Sequence, residues 1–166
     1  MNATATLVHP NGKELAVLGD NFGRGGEAIY HAIGFKANER VQREVIDSGA
    51  QYQAISLELL QEYADADIVF LCSWDQTTEE ELKAVVDSGV WRQLPAVREN
   101  RVIVLDYKTF FYFDPISVLG QIEALADVIE RTTGRNRSSE VRGFWHDGGG
   151  GPVLEISLTC LVFMIQ

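Results

Sequence analysis

The sequence predicts an α/β fold: a three-layer α/β/α, Rossmann-like lobe with a mostly parallel central sheet and an N-terminal β-hairpin at its edge. Three observations lead there. The run "DIVFLCSW", residues 67–74, is continuously apolar over residues 68–72, as a parallel strand covered on both faces must be. Short strand patterns alternate with helical ones from the first quarter of the chain to about Gly134, the order that builds a parallel sheet between helices. Near the start, "ATLVHP" and "KELAVLG" flank Asn11-Gly12. That dipeptide accepts the positive φ values of a tight hairpin turn.

Each element follows from its local chemistry. After the hairpin, Ala28, Ile29, Ala32 and Ile33 recur at helical spacing, with Gly34 as a left-handed cap. "QREVIDSG" reads as loosely helical and stops at Gly49; "YQAI" reads as a short strand. Ser56 stands as the N-cap of a helix with Glu58 in its first turn and Leu59, Leu60 and Tyr63 on one face. Past the apolar strand, Thr78 caps a helix with Leu82, Val85 and Val86 on its apolar side. The stretch "VWRQLPAVRENRVIVLD" forms a wedge that ends in a strand over residues 102–105, followed by the aromatic loop "FFYFDP". Pro115 suits a first helical turn. Ile116, Leu119, Ile122, Leu125, Ala126 and Ile129 then line one side of a long helix.

The chain's 166 residues suit one domain with a sizeable core. Its formal charge is −10, and residues 1–134 carry all of it, with 11 basic against 21 acidic side chains. That balance argues against a nucleic-acid partner. No apolar run is long enough to span a bilayer, and the opening residues lack the pattern of a signal peptide. Cys72 and Cys160 give no disulfide framework, and Cys72 reads as a buried free thiol. His9, His31 and His146 are scattered without metal-ligand spacing, so no metal or cofactor is expected.

Residues 135–166 depart from the rest. A polar, glycine-rich stretch, "GRNRSSEVRGFWHDGGGG", leads into the apolar, β-prone "PVLEISLTCLVFMIQ". The first has the composition of a linker. The second reads as a non-native extension, or as a strand that pairs with a sheet edge of its own or a second chain, in which case a dimer forms through it. The expected boundaries are therefore a lobe over residues 1–134 and a tail over 135–166.

"GDNFGRGGEAIYHAIGF", residues 19–35, poses the functional question. Gly23-Arg24-Gly25-Gly26-Glu27-Ala28 satisfies the letter of the dinucleotide-binding fingerprint. The context does not fit, because three residues separate the strand from Gly23 and the acids near position 45 lie in a helical stretch. Much more of the chain resembles the C-terminal lobe of iron-siderophore substrate-binding proteins of ABC importers, a family that also takes in cobalamin and haem binders. The likeness runs in order through the hairpin and glycine segment, "AISLELLQEYADADIVFLCSW", "SGVWRQLPAVRENRVIVLD", "YKTFFYF" and "DPISVLGQIEALADVIE", covering roughly residues 4–133. The Trp-x-x-Leu-Pro-Ala-Val wedge is its most specific piece.

The resemblance implies two lobes with a ferric siderophore between them, of which this chain supplies one. It also implies an extracytoplasmic location, periplasmic or lipoprotein-anchored, and a membrane permease as partner. No enzymatic activity and no cofactor of its own are expected, since the siderophore itself holds the iron. Arg24 is the candidate cation for the ligand, with a helix start offering free N–H groups beside it and glycines letting the ligand approach. Trp74 at the end of the central strand, and Tyr107, Lys108 and Tyr112 after the last strand, are the other candidate ligand contacts. Glu58 matches the glutamate that docks on permease arginines, and is also a plain helix-dipole acid. Two other readings remain at this point. One is the same lobe as a cytoplasmic ligand sensor of a siderophore-responsive transcription regulator. The other is a nucleotide-binding enzyme domain, for which no nucleophile–base pair is found.

Overall fold

The computed structural model describes residues 2–73 and 77–132. Six strands form one mixed sheet in the order β4-β2-β1-β5-β6, with a two-residue strand, β3, beside the start of β1. β1 (Thr4–Asn11) and β2 (Glu14–Leu18) are the hairpin, turning at Gly12 with φ +63°. β4 (Tyr52–Ile55) adds antiparallel to β2, whereas β5 (Ile68–Cys72) and β6 (Val102–Leu105) continue parallel from the other side of β1. β3 (Lys36–Ala37) pairs parallel with Thr4 and Ala5, past the end of β2.

The expected α/β class holds, and the hairpin sits deeper than its role as an edge suggested. β1 is central, and the outermost antiparallel strand is β4. The burial of β1 explains this. Six of its eight residues are buried without alternation, so both its faces are covered and both its edges are paired. β5 is buried at all five positions, and because successive side chains point to opposite faces, layers of structure must cover both.

The helical segments are short until the last. A π-type turn spans Glu27–Ala32 and ends before Gly34, whose φ is +81°. α1 (Glu39–Val41) is capped by Asn38 and continues as a π-type turn, Gln42–Ile46. A 3-10 turn, Leu57–Leu59, leads into α2 (Leu60–Tyr63). Ser56 occupies the N-cap position there without a side-chain capping bond, and Leu59 is exposed while Leu60 and Tyr63 are buried. α3 (Glu79–Val86) opens with a complete capping box between Thr78 and Glu81. α4 (Gly89–Gln93) and α5 (Pro95–Arg98) form the wedge, with Trp91, Leu94 and Ala96 in the core. Asp67, just before β5, accepts from the backbone N–H and hydroxyl of Thr4, tying β1 to β5.

Two corrections fall after β6. The first half of the aromatic stretch is helical, α6 (Tyr107–Phe110), capped by Asp106 through the Thr109 N–H. The long helix α7 (Pro115–Thr132) keeps Ile122, Leu125 and Ile129 of the expected stripe against the core but not its N-terminal part. Gln121 and Leu125 are fully buried, flanked by the partly buried Val118, Ile122, Ala124, Val128 and Ile129, whereas Ile116 is 82% exposed and Leu119 64%. The expectations for residues 135–166, Cys160 and His146 among them, lie outside the described residues.

Candidate functional site

The glycine segment makes an unusual turn. Gly23, Arg24 and Gly25 take φ of 73°, 57° and 93° in succession. An arginine there costs roughly 1–2 kcal/mol of backbone strain, the kind of strain that clusters at ligand clamps. The glycines are needed for packing against the protein itself. A Cβ on Gly23 would lie 2.7 Å from the Phe111 carbonyl oxygen, and one on Gly26 only 2.3 Å from that of Gly19. This corrects the expectation that the glycines clear space for a ligand. The helix start is also less open than expected, because the Gly23 N–H donates to Glu27 Oε1 at 3.1 Å.

What the turn accomplishes is to place Arg24. Its guanidinium carbon lies 4.5 Å from the centroid of Phe22 and 4.8 Å from that of Phe111, within cation–π range of both rings. Its Nη1 donates to the Phe22 carbonyl at 3.3 Å. The residue is 5% exposed. Burial holds its pKa below the ordinary arginine value, partly offset by Cys72 and Tyr107. Phe111 in turn packs against Tyr107 and Tyr112, with ring centroids 5.0 Å away in each case.

The structure thus unites three of the proposed ligand residues, Arg24, Tyr107 and Tyr112, through the ring of Phe111, which was not among the expected ligand contacts. Tyr107 is half-buried on α6, and Tyr112 is 59% exposed just after it. Lys108 is exposed on α6 and takes no part in these ring contacts. Trp74 lies outside the described residues. Glu58 is exposed on the 3-10 turn after β4.

Sequence reasoning also missed Phe22 and Gln121. Phe22 had a signal, since an aromatic two residues before an arginine in a glycine turn can fold over it. Gln121 is fully buried in α7, and its Nε2 donates to the carbonyl oxygens of Thr109 (3.0 Å) and Tyr112 (2.7 Å). Its signal was a lone amide amid apolar helix positions. On β1, His9 is 4% exposed with Nδ1 3.4 Å from the Cys72 carbonyl oxygen. Burial pushes its pKa down from 6.5 to about 4, and that of the free Cys72 thiol up to about 12.

This chemistry is that of recognition: a fixed cation, aromatic walls and two phenol groups. Among the described residues no group of three or more His, Cys, Asp or Glu could hold a metal ion, and no helix is long and apolar enough to cross a membrane.

Comparison with known proteins gives a consistent picture. The iron(3+)-hydroxamate-binding proteins YxeB and FhuD of Bacillus subtilis are 38% and 34% identical over 125 and 128 residues, covering 75% and 77% of this chain. The chain spans only 38% and 40% of their lengths. Among solved structures, a periplasmic binding protein component of a Fep/Fec-like ferrichrome ABC transporter from Bacillus subtilis superposes with a TM-score of 0.69 at 35% identity, over 76% of this chain and 45% of that one. FhuD2 from Staphylococcus aureus with bound ferrioxamine B gives 0.67 at 26% identity, over 79% and 48%. The family model for "periplasmic binding protein" matches residues 21–109, more than half of the chain, from the glycine turn through β5 and the wedge to α6. By that match, the chain that clamps Arg24 between two rings belongs to the periplasmic binding protein family.

Proposed function

We propose that this chain forms one lobe of an extracytoplasmic substrate-binding protein that captures ferric hydroxamate siderophores for an ABC importer. The observation that carries the reading is the clamped Arg24. A guanidinium pinned between two rings keeps a planar fork of donors in one place. Hydroxamate oxygens around iron are dense acceptors with partial negative charge, and tyrosines alongside offer both apolar area and hydroxyl donors. The relatives named for iron(3+)-hydroxamate binding support this substrate class. Iron enters as cargo inside its chelator, and the lobe supplies no metal ligand or cofactor. A second lobe completes the pocket, in keeping with the greater length of the relatives and with the two-sided burial that small-molecule sites rely on. Glu58, exposed and away from the aromatic cluster in sequence, is the residue assigned to permease docking, with membrane anchoring through a lipid as the mode of retention.

The test is a titration with ferrioxamine B and ferrichrome, followed by calorimetry. A two-lobed protein carrying this chain as its second lobe should bind tightly, and the chain by itself weakly. Arg24→Ala in the two-lobed protein should cost about 1.5–3 kcal/mol, the range for a hydrogen bond to a charged group. Arg24→Lys should recover part of that loss, since an ammonium stacks and forks less well. Unchanged affinity in Arg24→Ala would remove the arginine from the site. Binding of haem or cobalamin in place of every ferric hydroxamate would overturn the substrate class.

A further inference from the structure

The aromatic segment that covers Arg24 has few regular hydrogen bonds of its own. α6 is a single turn, and residues 111–114 belong to no helix or strand. Yet Phe111 must stay in place for the guanidinium to remain between two rings, and Tyr112 must be presented beside it. Among the described side chains of α7, one polar group is fully buried, and it answers this need. Gln121 Nε2 spends both of its hydrogens on this segment, one on Thr109 and one on Tyr112, the residues that bracket Phe110 and Phe111. The same segment presses on the glycine turn from the other side, with the Phe111 carbonyl and the Phe113 ring against Gly23. Helix, aromatic segment, Arg24 and glycine turn therefore form one continuous stack.

We propose that Gln121 is a positioning residue for ligand capture: by holding the carbonyls of Thr109 and Tyr112, it fixes Phe111 over Arg24 and so pre-organises the binding wall. The ligand-affinity part rests on the siderophore reading above; the placement of Arg24 does not. A neutral amide suits this task. It offers two donors to two acceptors with no charge to desolvate, and an apolar residue of the same length would fill the space while releasing both carbonyls. Pre-organisation of this kind raises affinity by sparing the ligand the cost of ordering the wall.

Gln121→Met separates positioning from packing, because methionine is unbranched, of similar length and adaptable in cores. In the chain as it stands, the Arg24 Nε–H resonance should sit upfield from the ring currents of Phe22 and Phe111. In Gln121→Met it should move toward the position of a free arginine, and the amides of residues 109–113 should exchange at least about tenfold faster, as expected for loss of two hydrogen bonds. In the two-lobed protein, Gln121→Met should weaken ferrioxamine B binding about tenfold, yet add nothing in a Phe111→Ala background, since both changes undo the same contact. An Arg24 resonance that stays upfield in folded Gln121→Met overturns the proposal, as does an equal loss of affinity in both backgrounds. If Gln121→Met does not fold, Gln121→Asn, one methylene short of both carbonyls, is read by the same resonance. Failure of the unmutated two-lobed protein to bind any ferric hydroxamate would refute the siderophore reading, and the Arg24 resonance would still decide the role of Gln121.

Discussion

Arg24 and His9 show how much a single residue's setting depends on distant chain. That an arginine in a glycine turn was a candidate cation could be read from the sequence, because charge and local flexibility are both local properties. Its clamp could not be, since Phe111 arrives from beyond β6. His9 had no legible role, because nothing in "LVHP" says that its strand would be central. Its burial now has a measurable consequence. A histidine whose folded pKa lies near 4 instead of 6.5 resists protonation only in the folded state. The unfolded chain takes up a proton first as pH falls, so stability is full above about 6.5 and is lost progressively down to about 4. The loss attributable to this residue is on the order of 3 kcal/mol. Urea unfolding at a series of pH values should show that decline, and His9→Gln should flatten it.

Elements were legible where a local rule governs them. Gly34 and Gly49 stop their segments with φ of +81° and +73°, Thr78 closes a capping box, and Pro115 opens α7. Less legible were features set by the rest of the molecule. The π-type turns replace ordinary helix where Ala28–Tyr30 and Val45 are pulled fully into the core. The buried stripe of α7 is turned away from Ile116 and Leu119 because Gln121 is drawn inward by its two carbonyl partners. The 3-10 turn Leu57–Leu59 leaves Glu58 exposed in its first turn, whose N-cap residue Ser56 makes no side-chain capping bond. If Glu58 docks on a permease, Glu58→Ala in the two-lobed protein should leave ferrioxamine B affinity unchanged and lower uptake several-fold in cells. Docking measured in lipid nanodiscs should weaken as salt rises, since rim charges are screened. Normal uptake by Glu58→Ala would leave the residue as a helix-dipole acid alone.

At the scale of the whole molecule, the mixed sheet places its first strand at its centre. β1 meets β2 through a turn of two residues, yet it meets β5 only across some sixty residues of intervening chain. Closing the first contact costs little entropy and closing the second costs more. This topology predicts an order of assembly in which the hairpin forms early and offers its open edge as the template on which β5, and then β6, are laid. Gly12 is the hinge of that first event. It stands at φ +63° with nothing within 4 Å of a would-be Cβ, so Gly12→Ala perturbs the backbone alone, by about 1 kcal/mol. If the hairpin is formed in the transition state, that penalty falls on the folding rate, which should drop roughly fivefold in stopped-flow refolding while the unfolding rate stays unchanged. A change confined to unfolding would mean that the centre of the sheet is laid down last, with the parallel strands assembling before their template.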